Sequence, residues 1–115
     1  AMSGATVGTN NIDMGIYDVG RTRIVSIGAT LTANANNLQL FDITDTLLAA
    51  GRFFLGVAMN GTTDALFRGT TASFELEAYG LSQMAAAMPL PATATFAKPA
   101  SNYIPLIGLS GRATI

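Results

Sequence analysis

Acidic side chains are where any chemistry in this chain would have to start. The sequence holds seven Asp and Glu residues but no His and no Cys. The commonest general base, the commonest metal ligand and the commonest strong nucleophile are therefore missing. A Ser-His-Asp triad cannot be built, nor a zinc site of ordinary composition, and disulfides and thiolate catalysis are excluded. What remains is a pair of carboxylates, the device glycosidases use. Three spacings offer one: Asp13 with Asp18, Asp42 with Asp45, and Glu75 with Glu77. In extended chain Glu75 and Glu77 share one face of a strand, and a solvated strand face accounts for them more simply than catalysis. Asp42 and Asp45 flank Thr44 in a loop-like stretch. Calcium takes about six to eight oxygen ligands, often from such residues, yet Asp bonding its own backbone in a turn is the simpler account. We expect no catalytic residue, no cofactor and no metal, with calcium the one ion left open.

Motifs for binding offer little more. Gly51-Arg52-Phe53-Phe54-Leu55-Gly56 has the glycine spacing of a phosphate loop but lacks the Lys-Ser/Thr that should follow. Asn60-Gly61-Thr62 matches the N-glycosylation triplet, and its better reading is a hairpin turn. Tyr17, Tyr79 and Tyr103, with Phe74 and Phe96, would line a sugar-binding surface if they met on one face. Core or interface packing is the simpler account, and the absence of Trp removes the most effective stacking residue. Were glycans bound, the contacts would come from Tyr17, Asp18, Asp64 or Arg68, read as loop residues.

Strands and turns must position these residues, and the sequence supplies both. Ile12, Met14 and Ile16 alternate with Asp13, Gly15 and Tyr17, which is strand periodicity. Asp18-Val19-Gly20-Arg21 reads as a turn with Gly20 at positive φ, and β-branched Arg23 to Ile27 returns as a second strand. A polar loop at 33–37 precedes a third strand, Leu38 to Ile43, where adjacent Leu40 and Phe41 mark a bulge. Arg52 to Met59 is the clearest strand, with Phe53, Leu55, Val57 and Met59 on one face. Asn60-Gly61 then turns the chain, placing Leu55 opposite Leu66 and Phe54 opposite Phe67 in a partner strand, Thr62 to Arg68. Phe53, Leu55, Val57 and Leu66 are the expected core. Phe74, Leu76 and Ala78 alternate as a strand would. Ala- and Met-rich Leu81 to Met88 reads as a short helix beginning after Gly80 and ended by Pro89. A last strand runs near Tyr103 to Leu109, at an edge because Pro105 cannot donate. No βαβ spacing is present. The expected fold is all-β: a single antiparallel β-sandwich over 1–115, jelly-roll-like, with at most one short helix near 81–88.

Composition points to partners. The chain has 115 residues, 50% hydrophobic and 11% charged, with a net charge of -1. Typical domains are about 25% charged. A surface so poor in charge is weakly solvated unless other subunits cover part of it. The Arg52–Arg68 hairpin is also apolar on both faces, whereas a two-layer sandwich covers only one face of each sheet. Both features point to a homo-oligomer, a trimer or larger, the alternative being that the 72–100 segment covers the second face within one subunit. The six basic residues are scattered singly, which argues against nucleic acid and against a membrane-surface patch. Apolar runs such as 53–59 fall far short of the ~20 residues that span a bilayer, and the first residues do not read as a secretory leader.

Several runs carry a family likeness. They are Asn11-Ile12-Asp13-Met14-Gly15-Ile16-Tyr17-Asp18, then Gly20 and Arg23-Ile24-Val25-Ser26-Ile27-Gly28. Phe41-Asp42-Ile43-Thr44-Asp45-Thr46-Leu47-Leu48 follows, with Gly51-Arg52-Phe53-Phe54-Leu55, and then Phe96, Tyr103 and Pro105-Leu106-Ile107-Gly108-Leu109. Together they resemble a group of largely uncharacterised phage and prophage virion-associated, tail-fibre-like β-domains. The likeness covers most of the chain and lies in strand-and-turn pattern, so it implies no catalytic residues. It implies a non-enzymatic virion structural or adhesion module of a tail fibre, spike or head decoration. Such a module is made in the host bacterial cytoplasm and carried in the extracellular particle. Its partners would be further copies of itself or other virion proteins. A domain binding host surface glycans is the alternative, and a carboxylate-pair glycoside hydrolase the remote one. In that group a strand precedes the segment matching Gly4-Ala5-Thr6-Val7. The expectation here is a fragment, or a strand supplied by another chain.

Overall fold

The computed structural model describes residues 2–3, 11–31, 37–60, 68–70, 73–78, 80–82, 88–100 and 103–111. Regular structure among them is nearly all strand. In chain order the elements are β1 (Met2–Ser3), β2 (Asn11–Tyr17), β3 (Arg23–Ser26), β4 (Thr30–Leu31), β5 (Asn37–Leu38), β6 (Phe54–Met59), β7 (Arg68–Thr70), α1 (Ser73–Ala78) and β8 (Tyr103–Pro105). The strand pairings among the described residues are all antiparallel.

The alternation of Ile12, Met14 and Ile16 does produce a strand, and β2 is the centre of the main sheet. Along one edge its C-terminal half pairs β3 and its N-terminal half pairs β4. Along the other edge runs β6, from Ile12 opposite Met59 to Tyr17 opposite Phe54. Directly opposed residues of an antiparallel pair lie on the same side of the sheet. One face of the β2–β6 ladder therefore carries Ile12, Met14 and Ile16 with Leu55, Val57 and Met59. The other carries Asp13, Gly15 and Tyr17 with Phe54, Gly56 and Ala58.

Residues 88–96 cross this second face as a strap. Leu90 and Ala94 form a buried cluster with Tyr17, and Phe54, Ala58 and Phe96 pack around it. The Phe54 and Phe96 rings meet edge to face, 4.9 Å between centroids. Gly15 and Gly56, opposite each other, make the seat for Leu90. A Cβ at Gly15 would stand 2.8 Å from the Val25 carbonyl oxygen and 3.1 Å from Leu90 Cδ1. One at Gly56 would stand 2.9 Å from Tyr17 Cε2. In a close-packed interior neither position has room for a methyl group. The strap also adds backbone pairing at the edge of β3. The Arg23 N–H donates to the Ala92 carbonyl at 2.8 Å and the Ala94 N–H to the Arg21 carbonyl at 2.9 Å, with Thr22 and Thr93 bridged between them.

Several expectations fail, each for a local reason. The positive φ of the β2–β3 turn belongs to Arg21 (φ 70°) and not to Gly20. The Asp18 N–H donates to the Thr22 carbonyl and the Arg21 N–H to the Asp18 carbonyl, both at 3.0 Å. Arg21 thus takes the left-handed bulge position that follows a type I hairpin turn. Segment 73–78 is helical where alternation reads as strand, and the short helix expected near 81–88 falls largely on residues outside the described ones. Gly80 (φ 76°) closes this helix. The Leu81 N–H returns to the Leu76 carbonyl at 2.9 Å, the long bond of a Schellman cap. Residues 83–87 lie outside the described residues.

The third strand shrinks to Asn37–Leu38, paired with β1, because adjacent apolar Leu40 and Phe41 break the alternation. The last strand stops at Pro105, which lacks the N–H needed to continue a ladder. The core shifts as well. Phe53 and Val57 are half-buried and Leu55 is exposed, while among the described residues the buried apolar ones are Ile12, Ile16, Tyr17, Leu76, Leu90 and Ala94. The predicted turn glycine Gly61 and the hairpin partner, with Asp64, Leu66 and Phe67, fall on 61–67, outside the described residues. Arg68, expected to end that partner strand, pairs opposite Pro105 of β8.

Candidate functional site

The residues singled out as ligand contacts do not converge. Tyr17 is only 2% exposed, and its hydroxyl donates to the Pro91 carbonyl at 2.7 Å. It ends a central strand and belongs to the core, not to a loop. Burial raises its pKa above the ordinary 10.0, the Arg23 charge pulls it back, and Asp13 adds to the rise. Asp18 stands in the turn, where Oδ1 accepts the Thr22 N–H at 2.9 Å, so its carboxylate closes its own hairpin. Arg68 lies on the separate β7–β8 ladder. Asp64 lies outside the described residues. Of the aromatic set, Tyr17, Phe96 and Tyr103 border one cavity of about 500 Å³ that runs along β6.

The carboxylate pairs separate too. Asp13 is buried in β2, and Asp18 lies about 16 Å further along extended chain, beyond the ~5–10 Å that carboxylate catalysis uses. Positions 75 and 77 fall about 200° apart around a helix, so they do not share a face as they would on a strand. Asp42 and Asp45 are both exposed and border one groove. Between them Thr44 offers its carbonyl to the Thr46 hydroxyl at 2.7 Å, an ordinary turn bond. Among the described residues no group of three or more Asp and Glu is placed to hold a metal ion.

The groove bordered by Asp42 and Asp45 is the candidate site. It measures about 570 Å³ and lies over the first face of the β2–β6 ladder. Met14, Ile16 and Leu55 contribute from the strands, Leu40, Phe41 and Ile43 from the loop after β5, and Leu109 from the chain beyond β8. Its floor is well packed, since Ile16 is buried. Its rim is open: Leu40 is 83% exposed, Leu109 50% and Leu55 40%. The groove thus combines an apolar floor and open leucines with two carboxylates at its border.

Sequence reasoning missed a polar latch on the opposite face. Asp13 is 0% exposed, and its Oδ2 accepts the Leu90 N–H at 2.8 Å. Arg23 Nη1 donates to the Leu90 carbonyl. Asp13 and Arg23 thus take both backbone groups of Leu90, and Tyr17 takes the next carbonyl. The other Asp13 oxygen is buried without a hydrogen-bond partner. The signal was present in the phase of β2: Asp13, Gly15 and Tyr17 share a face, and two of the three can bond a backbone.

No protein-family model, no curated protein and no solved structure matches this chain.

Proposed function

We propose that this chain is a non-enzymatic structural or adhesion module of a phage-like virion, in a tail fibre, spike or head decoration. It works by packing the groove face of its β2–β6 ladder against copies of itself or another virion protein. The likeness in strand-and-turn pattern supplies the virion setting, and with it the extracellular particle. The observation that carries assembly is the open rim, where Leu40, Leu55 and Leu109 stand in water around one groove. Monomeric proteins rarely expose contiguous apolar patches beyond a few hundred Å². Covering such surface is worth roughly 25 cal/mol per Å². A charged fraction of 11% agrees with a surface that is partly covered in use.

The same reading carries the finer fold assignment, a jelly-roll-like sandwich, for which β1–β5 and β7–β8 supply strands outside the main sheet. Host glycans lose support as the ligand, because the Tyr17 hydroxyl and the Asp18 carboxylate are already engaged. Light scattering coupled to size exclusion tests the proposal. The expected mass at micromolar concentration is three or more times the 11.9 kDa chain. A species that stays at the chain mass over that range contradicts it.

A further inference from the structure

We propose that the groove of one copy receives the β2–β3 hairpin tip of the next copy, head to tail, with Val19 in the apolar trough and Arg21 against Asp42 and Asp45. This arrangement rests on the assembly reading above and names the surface that the groove takes. The groove is apolar along its floor and acidic at its border, where Asp42 and Asp45 are both exposed. Among the described residues no Lys or Arg lines it. Two copies packed groove to groove about a twofold axis would bring these carboxylates together, two from each copy, with no described basic group between them. Like charges set face to face suppress such a pairing. A surface that fits the groove must therefore differ from it, apolar at its centre and basic beside it.

The hairpin tip has that composition. Val19 is 66% exposed and Arg21 is exposed beside it. Neither lines the groove of its own chain. The one acid of the tip, Asp18, is turned inward, since its Oδ1 accepts the Thr22 N–H. Arg52 is exposed two residues before Phe54, and Phe54 pairs with Tyr17, so a second guanidinium stands at the same end of the ladder. The tip is also set in shape before it binds. The Asp18 N–H donates to the Thr22 carbonyl and the Arg21 N–H to the Asp18 carbonyl, so docking it costs little ordering. The other described basic side chains lack this pairing of charge with open apolar surface. Arg23 is engaged with the Leu90 carbonyl, and Lys98 lies between Ala97 and Pro99. Tip and groove are different surfaces of one chain, which makes the contact heterologous. Such contacts close as rings or run on as filaments. A twofold dimer is excluded, and three or more copies follow.

Sedimentation velocity of the full chain over a concentration series tests it, with Val19→Asp, Arg21→Glu, the pair Asp42→Arg with Asp45→Arg, and a chain that combines Arg21→Glu with that pair. Val19→Asp, Arg21→Glu and the Asp pair should each raise the concentration of half-assembly roughly tenfold or more. The combined chain, with the charges exchanged across the contact, should assemble again. Salt raised from about 0.05 M to about 0.5 M should weaken wild-type assembly by screening. Val19 stands in water in the single chain, so Val19→Asp reads the contact even where Arg21→Glu disturbs the guanidinium over the Phe96 ring. Assembly unchanged by Val19→Asp, a combined chain no better than Arg21→Glu alone, or assembly that salt strengthens overturns the head-to-tail contact and leaves the groove reading standing. A wild type at the 11.9 kDa chain mass overturns both.

Discussion

The two faces of the β2–β6 ladder are made by the same two strands and are closed in different ways. On the face of Asp13, Gly15 and Tyr17, residues 88–96 are held by groups that each address a named backbone atom: Asp13 the Leu90 N–H, Arg23 the Leu90 carbonyl, Tyr17 the Pro91 carbonyl. The glycine seat admits Leu90 and little else. On the face of Ile12, Met14 and Ile16 the chain supplies a loop, a short terminal stretch and leucines left in water. Hydrogen bonds are directional and single out one partner segment, here the chain's own. Apolar burial is non-directional and accepts any complementary surface. A face closed the first way is a core, and a face left the second way suits assembly.

The largest expected effect comes from breaking the closed face. Gly15→Ala drives a Cβ against the Val25 carbonyl oxygen, which belongs to the backbone and cannot swing away. Overpacking of this kind costs about 3 kcal/mol, read as a lowered urea midpoint and loss of the strap's protection from amide exchange. Asp13→Ala comes next. It leaves the buried Leu90 N–H unpaired, a loss of about 2 kcal/mol, whereas Asp13→Asn keeps an acceptor and should lose less in the same titration.

Tyr17→Phe is smaller, about 1 kcal/mol at neutral pH for one hydrogen bond, and it carries a pH signature. Burial raises the Tyr17 pKa, so the folded protein keeps its proton where the unfolded chain, near 10.0, loses it. The fold's stability from this group is therefore intact below about pH 10 and declines as pH rises from there toward the raised value. Urea midpoints at about pH 8 and about pH 11 should fall further in wild type than in Tyr17→Phe. An equal fall in both would detach Tyr17 from the alkaline response. Arg21→Gly should change least, within about 0.5 kcal/mol of wild type. Relief of the left-handed backbone at Arg21 is offset by losing its guanidinium over the Phe96 ring, 5.9 Å away.

Local signals account for what the sequence made legible. The period of Ile12, Met14 and Ile16, the Asp18–Arg21 turn and the apolar run ending at Met59 are all decided by neighbours in the chain. Pairing is decided elsewhere. Asn60-Gly61 favours a hairpin for β6, yet the partner its described edge finds is β2, whose Gly15 and Tyr17 accommodate Gly56 and Phe54. Phe74, Leu76 and Ala78 fit strand and helix alike over so short a span, and Gly80 settles the matter only once its φ is known. Residues 88–96, with Pro89 and Pro91, read as loop because their hold depends on side chains far off in the sequence. Tyr17 fits core packing and ligand contact alike in the sequence, because a tyrosine beside a turn says nothing about which face it takes. The exposure of Leu40 and Leu109 had no local signal at all, since leucine is ordinarily expected inside.

Sedimentation velocity of wild type beside the double variant Leu40→Asp, Leu109→Asp tests the division between the two faces most directly. Both leucines stand in water in the single chain, so the substitutions leave the strap and its latch untouched. The account predicts that wild type sediments as a trimer or larger, and that the double variant sediments at the 11.9 kDa chain mass with an unchanged circular dichroism spectrum. A wild type already at that mass, or a double variant that assembles as wild type does, would contradict it.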